Sequence, residues 1–212
     1  GTLGVVTAIT WRLDPIPAAR ANVRVTVADL AHLGDLVPAL HALGPSGLEL
    51  LDRSFLEVVR GTAAAKNAGI RGDEAAVLLL EFEGESAAAV SDLAAQAAVQ
   101  ASPWTGDVSV ALDDVERETL ATLRHAASPI LAGLTDRRSL QVIEDGCVPV
   151  ARLGAYVAAV RRITAGHGIQ AVIFGHAGDG NVHVNLLPDV QSPGWEPRVQ
   201  AQQQPDELDR SG

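Results

Sequence analysis

Residues 169–188, IQAVIFGHAGDGNVHVNLLP, constrain the fold more than any other stretch, because two alternating apolar runs flank Asp179-Gly180. Both residues of such a pair tolerate the positive φ that a two-residue type I′ turn demands, so the stretch predicts a β-hairpin. With Asp179 and Gly180 at the turn, Gly178 faces Asn181, Ala177 faces Val182, His176 faces His183 and Phe174 faces Asn185. Opposed residues share a face with Cβ atoms roughly 4.5–5.5 Å apart. Strand alternation puts His183 and Asn185 on one face, Val182 and Val184 on the other. Two adjacent imidazoles are ready ligands for a divalent cation such as Zn²⁺, Mn²⁺ or Fe²⁺, and want a third ligand, commonly a carboxylate. The alternative is a cross-strand pair satisfied by solvent or packing, with the glycines simply making the turn; the spacing leaves both open. Gly175, Gly178 and Gly180 would let a ligand approach the backbone closely. A slip of one residue would carry one histidine to the other face.

The rest of the chain supplies a sheet for this hairpin to join. GTLGVVTAITWRLDPIPAA reads as a strand with an exit through Pro15 and Pro17, and NVRVTV (22–27) as a half-buried strand. ADLAHLGDLVPALHAL has helical spacing and stops at Gly44-Pro45; GLELLD (47–52) is a short strand, and RSFLEVVRGTAAAKNAGI a helix or loop. AAVLLLEFEG (75–84) is a buried strand, and 85–101 a helix so rich in Ala that it needs a sheet to pack on. A helix over 113–128 ends at Pro129, SLQVIEDGCVPV (139–150) is a strand with a turn at Asp145-Gly146, and 151–168 is a helix capped by glycines. Strands interleaved with helices predict an α+β fold, a ferredoxin-like antiparallel or mixed sheet with helices on one face. The tail QQQPDELDRSG lacks apolar periodicity and is expected to be disordered.

Composition excludes several partners. Sixteen basic against 26 acidic residues give a net charge of −10, which argues against a nucleic-acid or anionic-membrane surface while allowing a local cationic pocket. Cys147 is the only cysteine, so no intrachain disulfide forms, consistent with a reducing, cytoplasmic setting. No apolar run approaches the roughly 20 residues of a membrane span. With no methionine at all, the sequence is expected to be a piece of something longer.

The stretch from Gly175 to Asn185 resembles the GHxGDGNxHxN signature of FAD-linked 2-hydroxy-acid dehydrogenases, the group of the glycolate oxidase flavin subunit, D-lactate dehydrogenase and D-2-hydroxyglutarate dehydrogenase. GTLGVVTAITWRLDPIP resembles the end of that family's flavin-binding domain, and LRHAASP (123–129) and EDGCVPVARL (144–153) resemble two blocks of its C-terminal substrate domain. The resemblance implies a cap domain of a vanillyl-alcohol-oxidase-type flavoenzyme. Residues 1–20 would close a flavin-binding domain, 21–190 form the substrate and metal domain, and 191–212 be a tail. It implies His176 and His183 as metal ligands, Arg124, Ser128 and Asn185 as substrate contacts, and Gly180 and Asn181 near the flavin. The cofactors would be FAD, held mainly by the preceding domain, and Zn, Mn or Fe. The partners would be a small 2-hydroxy acid and that flavin domain, with a homodimer and membrane-peripheral attachment left open.

Physical chemistry supports the Arg124 role, since a guanidinium grips a carboxylate through two parallel hydrogen bonds and Ser128 lies one helical turn on. A surface salt bridge to Glu116 or Glu118 is the plainer alternative. Cys147 and His125 read as packing or surface residues, and Glu144 and Asp145 as shaping a turn rather than holding metal. Two features depart from the family. The GEHG block that carries its third metal ligand and base is not found, so no catalytic base is assigned and the chain alone is expected to be inactive. Nor does a lysine precede VPV, Ile143 standing near that place, which disfavours a dicarboxylate substrate. The rival readings are a ferredoxin-like binding or assembly module without catalysis and, last, a metal hydrolase.

Overall fold

The computed structural model describes residues 4–137 and 139–194, without the side chains of 141–145. Alternation decides the first strand. In β1 (Ala19–Val27), Val23, Val25 and Val27 point into one core while Arg24 and Thr26 face the other side. β1 pairs antiparallel with β3 (Ala76–Gly84) and with β4 (Val108–Ala111), and β3 pairs in turn with β2 (Gly47–Asp52). α1 (Leu33–His41) and α4 (Ala87–Ala101) pack on one face, so the first four strands run β4-β1-β3-β2 with the βαββαβ connectivity of a ferredoxin-like unit.

That unit is extended beyond β2. β6 (Gln170–His176) pairs with β2, β7 (Asn181–Leu187) with β6, and β5 (Leu140–Cys147) with β7, completing a seven-stranded antiparallel sheet in the order β4-β1-β3-β2-β6-β7-β5. α7 (Leu153–Gly166) joins α1 and α4 on the first face. The α+β antiparallel architecture is the one expected, and a second helical set adds to it. α2 (Arg53–Val59), α3 (Ala63–Asn67), α5 (Asp114–His125) and α6 (Ala127–Ala132) cover part of the opposite face over Leu51, Val77, Leu79 and Val172. Ala94, Ala97 and Ala101 of α4 are fully buried, which is how a helix of small side chains lies close to a sheet.

Several expectations are corrected. Residues 4–18 form no strand, and Val5, Trp11 and Leu13 are exposed, because no described strand pairs with them. β4 is a strand that the sequence pattern does not announce. The helix expected to run to Pro129 stops at His125; Pro129 lies in the first turn of α6, where a missing N–H leaves no helical bond unmade. The turn expected at Asp145-Gly146 is a register irregularity inside a continuous β5. The expected disorder of the tail, beyond Gly194, lies outside the described residues, as do the side chains of Ile143, Glu144 and Asp145.

Two polar clusters pin the sheet. Asp107, just before β4, takes hydrogen bonds from Arg24 (2.9 Å), Thr26 (3.0 Å) and Arg71 (2.5 Å). Burial alone would push the Asp107 carboxyl up, but the bonds from Arg24 and Arg71 outweigh it and hold it below its ordinary value. Asp52, fully buried, caps α2 through Ser54 N–H and pairs with Arg161 of α7. The Ser54 hydroxyl accepts from the Ile173 amide at 3.0 Å and so ties the end of β2 to β6.

Candidate functional site

The predicted hairpin forms with a longer turn. Ala177–Asp179 make one 3-10 turn and Gly180 follows with φ 68°, a four-residue loop in place of two. The register therefore pairs His176 with Asn181 and Phe174 with His183, rather than His176 with His183. A change of two residues preserves the face, so His176, His183 and Asn185 still point the same way. The imidazoles sit diagonally, with ring centroids 5.3 Å apart and planes at 87°.

The glycines serve the protein's own backbone. A Cβ at Gly175 would lie 2.3 Å from the Asn181 carbonyl oxygen, and one at Gly180 2.0 Å from that of Val148. A Cβ at Gly178 would lie 3.2 Å from His41 Nδ1. At these three positions neighbouring strand, loop and ring atoms take the space that a side chain would fill.

Around the histidines the contacts close into a ring. His176 Nδ1 lies 2.7 Å from Glu49 Oε1, and the other oxygen of Glu49 accepts from Arg124 Nε at 2.7 Å. Arg124 Cζ stands 5.3 Å from the centre of the Phe174 ring, a cation–π contact. Phe174 packs on His183 at 5.5 Å, and His183 returns to His176. Glu49 and Arg124 are about one-fifth exposed at their side chains (21% and 20%), whereas His176 is 43% exposed. Ser46, Gly47, Glu49, Arg124, His125 and His176 line a groove of about 450 Å³. It continues into a smaller recess of about 130 Å³ under the hairpin turn, beside His41, Gly178 and Asp179.

The partner of Arg124 is Glu49, neither Glu116 nor Glu118. Ser128 is exposed on α6, beyond the break at Ala126. Asn185 is 3% exposed, with its Oδ1 3.4 Å from the Ser139 hydroxyl and its Nδ2 without a partner among the described residues. Asn181 is half-buried opposite His176, and Gly180 is buried. Cys147 and His125 are surface residues, as the sequence suggests. Sequence reasoning does not single out Glu49. Its signal is a carboxylate inside the strand, on the Gly47, Glu49, Leu51 side, where it stands opposite His176 in the β2–β6 pairing.

The donor set suits two positions of a metal. Zn–N bonds of about 2.0–2.1 Å at a tetrahedral angle set two imidazole centres about 5 Å apart, close to the separation here. Among the described residues, no three His, Cys, Asp or Glu side chains converge as a metal site. Nor is any described helix long and apolar enough to cross a membrane.

A family model described as FAD linked oxidases, C-terminal domain, matches residues 16–204. The chain is 30% identical over 203 residues to the glycolate oxidase subunit GlcD of Bacillus subtilis, covering 94% of this chain and 42% of that protein. It is also 30% identical over 201 residues to D-2-hydroxyglutarate dehydrogenase of Stutzerimonas stutzeri, covering 89% and 40%. The chain thus spans about two-fifths of the length of the curated relatives it matches. A solved structure of p-cresol methylhydroxylase with substrate bound superposes with a TM-score of 0.61 at 13% identity, covering 88% of this chain and 42% of that one, a likeness of fold.

Proposed function

The chain belongs to the family of FAD-linked oxidase C-terminal domains, and from that premise we propose that it is the substrate-binding cap of a flavoenzyme. The enzyme would oxidise a small D-2-hydroxy acid of the lactate or glycolate type to the 2-oxo acid. The observation that carries the reading is the ring of Arg124, Glu49, His176, His183 and Phe174 beside an open groove.

Arg124 binds the substrate carboxylate. Its Nε is taken by Glu49 and its face by Phe174, while its two terminal amino groups have no hydrogen-bond partner among the described residues. That end-on pair suits a carboxylate. His176 and His183 would hold a divalent metal, Zn, Mn or Fe, whose chemistry when bound is to lower the pKa of the substrate hydroxyl. Asn185 offers a buried amide donor on the same face, and Ser128 would reach the substrate from α6. FAD supplies the hydride acceptor, held mainly by a domain outside these residues, with Gly180 and Asn181 on its side of the hairpin. Residues 1–20 would close that flavin-binding domain, and 21–190 would be the cap.

A monocarboxylate fits best. Glu81 and Glu83 line the same groove as the Glu49–Arg124 pair, and a second carboxylate would meet their charge. The experiment is flavin reduction by the intact flavoenzyme carrying this chain, under anaerobic conditions, with D-lactate, glycolate and D-2-hydroxyglutarate. D-Lactate or glycolate should reduce the flavin with the higher kcat/KM. Failure of every D-2-hydroxy acid to reduce it would overturn the function, and preference for the dicarboxylate would overturn the substrate class.

A further inference from the structure

We propose that Glu49 is the positioning residue of this site, one carboxylate that orients both the imidazole of His176 and the guanidinium of Arg124. The proposal rests on the reading of His176 and His183 as metal ligands. Its basis is the double contact: Oε1 on His176 Nδ1 and Oε2 on Arg124 Nε, both at 2.7 Å.

The chemistry follows from what each atom can do. A carboxylate only accepts, so His176 donates from Nδ1, and its lone pair is left on Nε2. An imidazole whose Nδ1–H is held by a carboxylate has its tautomer and ring orientation fixed and its Nε2 made a better donor to a metal. On the other side, an arginine bound at Nε keeps its two terminal amino groups as a parallel pair, the edge that reads a carboxylate end-on. The imidazole and the guanidinium come from different elements, β6 and the last turn of α5. Glu49 is the group that touches both.

The backbone makes this bridge rigid. Glu49 stands directly opposite His176 in the β2–β6 register, and its neighbours Leu48 and Leu50 are anchored in the core on the other face. Its side chain is largely covered, so water competes weakly for either oxygen. Each oxygen already accepts from one partner, and among the described residues Glu49 does not converge with the two histidines as a three-ligand metal site. The role is therefore to aim the ligands rather than to be the third one.

The test uses the intact flavoenzyme carrying this chain, freed of metal, with Zn²⁺ as probe, comparing wild type, Glu49→Gln and His183→Ala. Affinity is measured by competition with a chromophoric chelator, and the His176 tautomer by ¹⁵N-correlated NMR of the metal-free protein. Wild type should show a single Nδ1-protonated tautomer at His176. E49Q should keep the circular dichroism spectrum, lose that single tautomer and bind Zn²⁺ about 10–100-fold more weakly. H183A should abolish stoichiometric binding. If H183A abolishes binding while E49Q binds as wild type and keeps the tautomer, the role of Glu49 is overturned and the metal reading stands. If wild type binds no Zn²⁺, the metal reading falls and the positioning role with it. Should E49Q fail to fold, E49D, which keeps the charge on a shorter arm, is read by the same two measurements.

Discussion

Three glycines separate two costs that are commonly confused. Gly44 has φ 69° and nothing within 4 Å of the place a Cβ would take, so Gly44→Ala meets only the left-handed backbone penalty. That penalty is about 1–2 kcal/mol, offset by about 0.4–1 kcal/mol because alanine stiffens the unfolded chain. Gly175 has ordinary φ, but a Cβ there would lie 2.3 Å from the Asn181 oxygen and 2.8 Å from Val182 Cα. Forcing backbone apart in this way costs about 1–3 kcal/mol. Gly180 combines φ 68° with a Cβ 2.0 Å from the Val148 oxygen, and its own carbonyl accepts from the Val148 amide at 3.0 Å. Gly180→Ala should therefore cost about 3 kcal/mol, Gly175→Ala about 1–2 and Gly44→Ala under about 1. In a chain of this size each kcal/mol moves the melting midpoint by about 2–4 °C, so G180A should melt about 6–12 °C below wild type. Urea titration of the three variants, read as midpoint shifts at constant slope, gives the order directly. If G180A costs no more than G44A, the close approach to Val148 is not what the glycine serves, and the reasoning about the turn is wrong.

Two further outcomes follow from the same geometry. Arg124→Lys replaces a planar fork stacked on Phe174 by a single ammonium, so in the intact flavoenzyme KM for the 2-hydroxy acid should rise about 10–100-fold, the equivalent of about 1.5–3 kcal/mol for a charged hydrogen bond; an unchanged KM in steady-state kinetics would remove Arg124 from the carboxylate site. The Asp107 carboxyl lies below 3.8 in the folded chain, so it stabilises the fold above that pH and the contribution is lost as pH falls through the folded value. Asp107→Asn should lower the melting midpoint near neutral pH and flatten its decline on acidification, and a wild-type-like acid limb in calorimetry would contradict this.

Local pattern carried much of the fold. GLELLD forms β2 at the residues expected, and Val23, Val25 and Val27 line one core face of β1, although the strand expected to be half-buried is covered on both faces, with Arg24 and Thr26 buried on the other. β4 escapes because four residues, VSVA, carry too little pattern; its pairing with β1 makes it a strand. The opposite error arises at the start, where GVVTAITW alternates well yet has no described partner strand. Asp179-Gly180 points correctly to a hairpin and wrongly to its register, because the same dipeptide also fits the end of a four-residue loop with Gly180 left-handed. The face survives that error only because the loop differs by an even number. Glu49 could not be read locally, since its partners lie 75 and 127 positions away.

The distance in sequence explains where the site is. The ferredoxin-like unit and the β6-β7-β5 addition meet along one seam, paired at only Glu49 with His176, Leu50 with Gly175, and Leu51 with Phe174. Glu49 lies on one side of that seam, and the helix bearing Arg124 follows the same unit in the chain; the two histidines and Phe174 lie on the other side. The hairpin alone can hold imidazole beside imidazole, because β6 and β7 share seven paired positions. It cannot set either ring against the guanidinium. That relation depends on the seam, and at its centre Gly175 lets β6 lie close to β7 while pairing with Leu50 of β2. The small residues of the motif thus act one step before chemistry, bringing the two parts of the sheet into a register that closes the ring.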